Sequence, residues 1–356
     1  MDFGAHLVKA SCKRVSNSKT MDDCMEPKDI PIPSLSASLK KLWLPILMTC
    51  VVLVGLFWWA SGQQSLTTML QKAQWQWLWA PALLVCFNMG LAAFRWAAIV
   101  KTAGYTMLWR EGMYAILATW PLALLTPGRA SDLLRPYIVR HRFPMAEGMS
   151  SVVVEKMIDV QSLCILVLVG SVWHGLWSWF AFALVGLICA WGGVALLLYT
   201  SLLEWIKARP YLNKFSKLFD QFFSIFEHFR AQPLRFVYVC SLSLLAWCVA
   251  LLIIWSLLHI FGAPLPVSHV VSLWPIALFI GQLPITFAGM GTRDASFLAL
   301  IMLTSPQNVP QAGILSATFS YALLTTWMPA VLGLPWSFRF LATYRQQRQG
   351  KEEPNT

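Results

Sequence analysis

Charged residues are scarce in this chain, and their scarcity limits the classes of protein it can belong to. Asp, Glu, Lys and Arg make up 12% of the 356 residues, whereas 57% are hydrophobic. A soluble domain usually has about 25% charged residues, so an ordinary soluble globular protein is excluded. The 19 Trp and 21 Phe residues gather at the ends of long apolar runs, as is typical at membrane interfaces. This composition predicts an all-α polytopic membrane protein.

The sequence also lacks the common motifs of catalysis and metal binding. Its eight cysteines form no Cys-x-x-Cys pair, and its six histidines form no His-Glu-x-x-His motif. No nucleophile elbow, phosphate-binding loop or dinucleotide fingerprint is present. We therefore expect no enzymatic activity, no catalytic residue, no metal site and no cofactor. Basic loops beside anionic lipid account for the net charge of +11, so we expect no nucleic-acid partner.

The N-terminal segment has no continuous apolar core, which excludes a cleavable signal peptide there. We expect residues 1–39 to be a disordered cytoplasmic tail, or to result from a start codon assigned too far upstream. The transmembrane domain is predicted over 40–340 and a cytoplasmic C-terminal tail over 341–356. Within the domain, the first half covers 40–203, an amphipathic cytoplasmic linker covers 204–235, and the second half covers 236–340.

Six apolar segments are close to the length of about 20 residues that a bilayer crossing needs. Two further apolar segments, Met113 to Thr126 and Val271 to Phe287, are short or interrupted by proline and glycine, and we predict that both are re-entrant helical hairpins. The predicted crossings are Leu42 to Ala60, Trp79 to Val100, Met149 to Val172, Trp179 to Leu203, Phe236 to Phe261 and Ala312 to Trp336.

The distribution of basic residues predicts the orientation. Lys and Arg in short loops favour the cytoplasmic side, and all 27 basic residues except Lys72, Lys156 and Arg293 lie in or near segments that six crossings with both termini inside would place there. In this topology the first hairpin enters from the cytoplasm and the second from the opposite side. The linker between the halves contains phenylalanines at helical spacing over 211–230, and we predict an amphipathic helix lying in the cytoplasmic interface.

Two breaks in the apolar pattern repeat at corresponding places in the two halves. The first break is Pro127 to Asp132 and the second break is Ala288 to Asp294; each contains glycine, an arginine and an aspartate. Broken helices in two inverted halves are typical of carriers that bind their substrate near the membrane midplane. The alternative interpretation is that both breaks are ordinary tight helical turns with structural charges.

Ionisable side chains cluster at the breaks and are the candidate site residues. Guanidinium groups bind phosphate oxygens in a bidentate way, so Arg129, Arg135 and Arg293 are candidate ligands of a phosphate-bearing headgroup. The backbone amides near Gly128, Gly289 and Gly291 would add donors. Four carboxylates would hold the arginines in the empty protein or carry a coupling proton: Asp132, Glu155, Asp159 and Asp294. A purely structural ion-pair network is the alternative.

Asn88 and Arg95 lie seven residues apart on one face of the second predicted crossing. We expect them to line the wall of a cavity between the hairpins. Helix packing and snorkelling would explain the same two residues.

These motifs resemble the lysylphosphatidylglycerol synthase transmembrane-region family, whose members are described as flippase-like. The resemblance covers roughly Leu42 to Phe340 and implies a lipid or lipid-linked substrate that moves between leaflets. It is based on Arg95 and Trp96, Pro127 to Asp132 with Arg135, Glu155, Lys156 and Asp159, and Pro284 to Gly289 with Gly291, Arg293 and Asp294.

Two departures from the family pattern leave the substrate open. Bifunctional members continue into a soluble aminoacyltransferase domain, which we do not expect here because the chain ends soon after the last predicted crossing. Ser131 and Asp132 stand where the family usually has Gly-Glu, and Asp294 stands where it has Glu. The charge is kept, but the reach of each carboxylate is shorter.

The sequence therefore predicts a multi-pass protein of the bacterial inner membrane that transports an anionic phospholipid or a polyprenyl-phosphate-linked lipid. Two alternatives stay open: a proton-coupled carrier of a small soluble anion, and a non-transporting accessory protein of a membrane enzyme complex. Membrane lipids are the expected partners. A second copy of the chain or a membrane enzyme is a further partner that the sequence leaves open.

Overall fold

A computed structural model gives the fold of the chain. It describes residues 47–52, 54–55, 58, 71, 73–124, 127–199, 216–282, 286–304 and 310–352, with only the backbone described at 127–130, 195, 197–199, 216–219 and 344–352. The described residues form helices and connecting turns without a strand. This is the all-α fold class that the composition predicts. The predicted crossing from Leu42 to Ala60 lies largely outside the described residues, as does the tail of residues 1–39.

Eleven α-helices are labelled here in chain order. Two of them precede the first break and one directly follows it: α1 is Trp79–Thr102, α2 is Trp109–Leu124 and α3 is Arg135–Ile138. The others follow: α4 Met145–His174, α5 Trp177–Tyr199, α6 Ser216–Ala231, α7 Pro233–Ile260, α8 Val267–Gly281, α9 Thr292–Thr304, α10 Gln311–Ala322 and α11 Met328–Glu352.

Four helical segments are long and apolar enough to cross a membrane: Trp75–Thr102, Trp177–Val194, Pro233–Ile260 and Gln311–Thr343. They correspond to four of the six predicted crossings. The fifth, α4, has 30 residues, which gives a length of about 45 Å, but it contains four charged side chains. The chain is therefore a helical membrane protein, and the count of six crossings stays a prediction.

Each break separates two helices. After α2 the chain forms a 3-10 segment, Pro127–Leu134, which leads directly into the short helix α3. After α8 it forms a shorter 3-10 segment, Phe287–Gly289, and α9 begins three residues later. Both interrupted segments thus have a helix, a tight non-α turn and a second helix, the local structure that the sequence predicts. Whether they re-enter the membrane from opposite faces stays a prediction.

The amphipathic linker helix packs differently from the sequence prediction. Phe223, Phe226 and Phe229 of α6 are buried in one cluster with Val154 and Ile158 of α4 and with side chains of α1, α5 and α7. The apolar face of α6 is therefore covered by the helix bundle instead of lying against lipid. Periodicity correctly indicated an amphipathic helix, but periodicity alone does not distinguish a protein surface from a lipid surface.

Glycine allows two pairs of helices to approach closely. A Cβ built on Gly170 of α4 would come within 2.3 Å of the Ser272 Cα of α8. A Cβ on Gly333 of α11 would come within 2.3 Å of the Leu117 carbonyl oxygen of α2, which Pro121 leaves without its usual helical N–H donor. These contacts hold α8 close against α4 and α11 close against α2.

The start of α2 is held by a carboxylate outside the membrane-spanning helices. Glu111 accepts hydrogen bonds from the Leu108 N–H, at 2.9 Å, and from Arg142 Nε and Nη2, at 2.8 and 2.6 Å. Partial burial would raise the pKa of Glu111, but the hydrogen bonds from Arg142, Leu108 and His141 lower the pKa below its ordinary value. The ionised carboxylate therefore stabilises the entry into the first interrupted segment.

Candidate functional site

Two carboxylates of α4 bind one guanidinium group. Glu155 and Asp159 are four residues apart, so their side chains leave the helix on the same face. Arg95 of α1 donates from Nη2 to Glu155 Oε1 at 2.6 Å and from Nη1 to Asp159 Oδ1 at 2.5 Å. The i, i+4 pattern thus forms a two-carboxylate clamp on a cation from another helix.

The clamp continues into a chain of ions with alternating sign. Glu155 uses its second oxygen, Oε2, to accept from Arg135 Nη1 at 3.1 Å. Asp132 then binds Arg135 Nη2 through Oδ1 at 2.8 Å and Lys156 Nζ through Oδ2 at 2.7 Å. We call these six residues the ion chain; in order they are Asp159, Arg95, Glu155, Arg135, Asp132 and Lys156.

Burial increases towards the middle of the ion chain. The side chains of Arg95, Glu155, Arg135 and Asp132 are 2–6% exposed, whereas Asp159 is 17% and Lys156 is 45% exposed. Removing an ion from water costs several kcal/mol even after relaxation. Each interior ion contacts two ions of opposite sign, and this arrangement offsets that cost. The two terminal ions contact one opposite charge each and remain closest to water.

A hydroxyl from the second half of the protein also joins the ion chain. Ser243 of α7 donates from Oγ to Asp159 Oδ1 at 2.9 Å and accepts from Arg95 Nη1 at 3.1 Å. Ser243 is completely buried. The contact therefore connects α7 to α1 and α4 at the acidic end of the ion chain.

The second break contains a separate ion pair. Arg293 and Asp294 lie in the first turn of α9, where a cation is unfavourable because the helix N-terminus is electropositive. Asp294 compensates in two ways: Oδ1 accepts from Arg293 Nε and Nη2 at 3.0 and 2.8 Å, and Oδ2 accepts from the Gly291 N–H at 2.9 Å. The second contact is half of a capping box.

Aromatic rings surround the Arg293 guanidinium. Its Cζ lies 5.4 Å from the ring centroid of Trp274 and 5.1 Å from that of Tyr321, distances at which cation–π attraction operates. Its Nη2 also donates to the Thr318 carbonyl at 3.2 Å. Arg293 is 5% exposed, so its charge is held at a fixed position.

The backbone of the second break needs glycine for a close approach. Gly289 has a φ of +72°, and a Cβ built on it would lie 2.4 Å from the Gly281 carbonyl oxygen. Gly281 in turn leaves room for Arg293, whose Cβ would be 2.9 Å from a Cβ on that glycine. The break therefore folds back onto the end of α8, and this fold positions Arg293.

One cavity of about 330 Å³ lies between the two interrupted segments. Residues from both interrupted segments and from α1, α4, α7 and α10 line it. The charged residues of its lining are Arg95, Arg135, Glu155, Lys156, Asp159 and Arg293, and the other polar and aromatic residues are Asn88, Trp120, Trp247, Gln282, Thr286, Phe287, Tyr321, Thr325 and Thr326.

Four residues of this lining have a buried polar atom without a hydrogen-bond partner among the described residues. Three of these atoms are N–H donors: Arg95 Nε, Arg135 Nε and Trp247 Nε1; the fourth is the acceptor Asn88 Oδ1. A buried polar group without a partner costs about 1–3 kcal/mol. These four atoms are themselves buried behind the cavity surface.

The structure brings most of the sequence-predicted residues to this cavity. Asn88, Arg95, Arg135, Glu155, Asp159, Gly289 and Arg293 line it. Asp132 and Asp294 bind the cations behind the lining. The predicted amide donors are differently placed, because the Gly289 N–H is bonded to the Thr286 carbonyl and the Gly291 N–H to Asp294. Gly128 and the Arg129 side chain lie outside the described side chains.

Sequence reasoning missed several residues of the site. Ser243 and Trp247 gave no signal because each is one small or aromatic residue in a long apolar run of α7. The π-helical segment Leu323–Trp327, whose Thr326 carbonyl accepts from Trp120 Nε1 at 3.2 Å, had no recognisable pattern either. Lys156 was noticed beside Glu155 without a role, and the structure places it at the end of the ion chain.

The described residues contain no group of three or more His, Cys, Asp or Glu side chains that could hold a metal ion. The carboxylates of the ion chain are occupied by arginine and lysine. The cations of the cavity lining, Arg95, Arg135, Lys156 and Arg293, are each paired with a carboxylate.

A protein-family model described as the lysylphosphatidylglycerol synthase TM region matches residues 46–333. The match includes both breaks, the ion chain and the cavity. By its description the matched family is the membrane region of the synthase. No curated protein matches the chain.

Proposed function

The chain belongs to the lysylphosphatidylglycerol synthase TM region family, and on this premise we propose that it is a flippase-like carrier. Its substrate is an anionic phospholipid or a polyprenyl-phosphate-linked lipid, which it moves between the leaflets of the bacterial inner membrane. The matched region is the membrane part of the family, and accordingly we propose transport and not catalysis. Membrane lipids are its partners, and both termini are cytoplasmic.

A single observation supports this function most: one cavity of a membrane protein is lined by arginines from both interrupted segments. Arg135 follows the first break, Arg293 lies in the second, and Arg95 completes the set from α1. Ionisable residues at membrane depth cost roughly 2.5–3.5 kcal/mol each on insertion scales and usually mark a substrate path. We assign these three arginines, together with Arg129, to the phosphate of the headgroup.

The cavity lets a charged headgroup cross without entering hydrocarbon. A phosphate without partners would be very costly to bury, whereas guanidinium groups of the cavity lining replace its hydration. The apolar tails stay in the bilayer during the step. We propose that the two interrupted segments are opposed re-entrant hairpins of an inverted repeat with six crossings, and that rocking of the halves exposes the site to each leaflet in turn.

A second candidate function is transport of a small soluble anion, and the size of the cavity favours it. A volume of about 330 Å³ is near the lower limit of ordinary small-molecule pockets, so it accommodates a headgroup or a free anion without the tails. A lipid requires a lateral opening to the bilayer, whereas a soluble anion requires a closed aqueous path. A purely accessory role gains no support from an open cavity with unpartnered donors.

The test is transport in proteoliposomes. Fluorescent phosphatidylglycerol and phosphatidylcholine are placed in separate vesicle preparations, and the fraction that an external quencher reaches is followed over time. Wild-type protein should raise the rate of movement between leaflets more for phosphatidylglycerol than for phosphatidylcholine. Because hydrogen bonds to charged groups contribute about 1.5–3 kcal/mol, Arg129→Ala and Arg293→Ala should each lower the rate about tenfold or more.

The matched control is Arg110→Ala, which removes an exposed arginine outside the cavity lining. Its transport rate should equal that of the wild type. Normal rates in both Arg129→Ala and Arg293→Ala, together with retained folding by circular dichroism, would contradict the assignment. Saturable uptake of free glycerol phosphate into the vesicles without lipid movement would favour the second candidate.

A further inference from the structure

Asp159 is the most accessible carboxylate of the ion chain. Its side chain is 17% exposed, compared with 2% for Glu155 and 4% for Asp132. It lines the cavity, and it is the acidic end of the chain. Among the carboxylates of the ion chain, Asp159 is therefore the one that cavity water reaches most easily.

Arg95 is shared between two carboxylates, and they are held unequally. Glu155 is fixed by Arg135 as well as by Arg95, through separate oxygens. Asp159 has Arg95 as its cation, which donates to both of its carboxylate oxygens at 2.5 and 3.1 Å, and its other contact is the hydroxyl of Ser243. A phosphate that approaches Arg95 from the cavity and displaces Asp159 separates it from one cation, whereas displacing Glu155 would disturb the pairing of two.

A displaced Asp159 would be an ionised carboxylate without a cation at membrane depth. Such a group is costly because low-dielectric surroundings disfavour its charged form. One hydroxyl donor from Ser243 does not replace the lost ion pair. A proton from cavity water removes the charge, and the protonated oxygen can then donate a hydrogen bond to the bound phosphate or to Ser243.

We propose that Asp159 is the proton-binding residue of the carrier, and that it takes up one proton when an anionic headgroup binds Arg95. This inference rests on the proposed function. An O–H bond forms between an Asp159 carboxylate oxygen and a proton delivered by water in the cavity. When the anion leaves on the other side, the proton returns to water and Asp159 pairs with Arg95 again. Each monoanionic substrate thus moves with one proton.

The other charged groups around α4 do not replace Asp159 in this role. From α1 and α7, respectively, it contacts Arg95 and Ser243. Asp132 and Arg135 reach Lys156 and Glu155 on α4, and Arg293 lines the same cavity from the second break. Helix α5 has no charged residue. The other described Lys, Arg, Asp, Glu and His side chains on the elements packed against α4 lie on helix surfaces or ends: Lys101, Asp220, Glu227, His228, Arg230, Arg235, His259 and His269.

The test measures protons taken up on binding. The probe is dihexanoyl phosphatidylglycerol, added to the purified full chain in a non-ionic detergent. Its phosphodiester stays singly charged from pH 5 to 9, in contrast to a phosphate monoester, which titrates near pH 6. Calorimetric titrations in buffers with different ionisation enthalpies then give the number of protons bound per probe molecule.

We expect about one proton per probe in the wild type, and an apparent Kd that rises about tenfold per pH unit above neutrality, as linkage of one proton requires. Asp159→Asn should bind the probe with no proton uptake and a Kd independent of pH. Asp159→Glu should restore the uptake. The matched control Asp220→Asn, which changes an exposed aspartate of α6, should behave as the wild type.

The outcomes separate this inference from the proposed function. Probe binding by the wild type without proton uptake would overturn the role of Asp159 and leave the carrier function in place. Unchanged uptake in Asp159→Asn would also overturn it. Failure of the wild type to bind the probe would contradict both the proposed function and the inference that rests on it.

Discussion

Arg95 and Glu155 form an ion pair of 2.6 Å between α1 and α4, with side chains only 6% and 2% exposed. Glu155 also binds Arg135 at 3.1 Å, so one carboxylate partly neutralises the charges of two buried arginines. Breaking a buried pair by removing one partner is strongly destabilising, because the remaining charge is left without compensation. The ion chain should therefore respond very differently to changes at its middle and at its end.

We predict that Glu155→Ala lowers the free energy of unfolding by about 3–5 kcal/mol. Lys156→Ala should lower it by at most about 1 kcal/mol, because Lys156 is 45% exposed and Asp132 keeps its pair with Arg135. Unfolding in mixed micelles of a non-ionic detergent and dodecyl sulphate measures both values. Equal losses in the two variants would contradict the gradient of burial along the ion chain.

Part of this arrangement could be predicted from the sequence, because part of it is local. Glu155 and Asp159 share a face of α4 by helical spacing alone. Their common partner Arg95 lies 60 residues from Glu155, and nothing in its neighbourhood distinguishes a packing arginine from the centre of an ion network. Ser243 is 148 residues from Arg95. Contacts over such separations depend on which helices pack together, and periodicity does not determine that.

The same limit explains the linker helix and the break amides. The phenylalanine spacing of α6 predicts an apolar face but leaves its partner open, and the structure places that face against α4 and α7.

The glycines of the second break were recognised as a site of unusual backbone geometry. The Gly289 amide, however, donates to the Thr286 carbonyl, and the Gly291 amide donates to the Asp294 carboxylate. A tight turn satisfies its own donors wherever a nearby acceptor allows it.

A second prediction concerns the close approach at the second break. Gly289→Ala should destabilise the protein by more than the roughly 1–2 kcal/mol that a positive φ costs a residue with a Cβ. The reason is that the added methyl group would also lie 2.4 Å from the Gly281 carbonyl oxygen, so the end of α8 must shift. Thermal unfolding in detergent, followed by circular dichroism, measures the effect.

Gly262→Ala is the matched control for that experiment. Gly262 has a similar φ of +66°, but no atom lies within 4 Å of an added Cβ. It should show the conformational cost alone. A Gly289→Ala variant no less stable than Gly262→Ala would show that the break does not need its contact with α8.

The third prediction concerns acid stability through Glu111. Burial would raise its pKa, but the hydrogen bonds from Arg142, Leu108 and His141 lower the pKa below its ordinary value of about 4.5. A carboxylate with a depressed pKa in the folded state contributes stability above the unfolded-state pKa, and this contribution is lost as the pH falls through the folded-state pKa. Glu111→Gln should therefore be less stable than the wild type at pH 7, and the difference should shrink as the pH falls below about 4.5.

Melting temperatures of both proteins from pH 7 to pH 3 check this dependence. Glu227→Gln, which changes an exposed carboxylate of α6, is the control and should follow the wild type at every pH. A difference between Glu111→Gln and the wild type that grows towards low pH would show the opposite sign of linkage and would contradict the prediction.

The fourth prediction asks whether the charge at the second break is sufficient or whether the guanidinium geometry is needed. Arg293 uses Nε and Nη2 on Asp294, Nη2 on Thr318, and its planar face near Trp274 and Tyr321. A lysine keeps the charge but has one compact ammonium group, which cannot bind in the same bidentate way. Arg293→Lys should therefore lower the rate of phosphatidylglycerol movement in proteoliposomes about tenfold, close to the effect of Arg293→Ala.

The control is Arg110→Lys, at an exposed position, which should keep the wild-type rate. If Arg293→Lys transports at the wild-type rate while Arg293→Ala does not, the second break supplies a charge and not a shaped phosphate site.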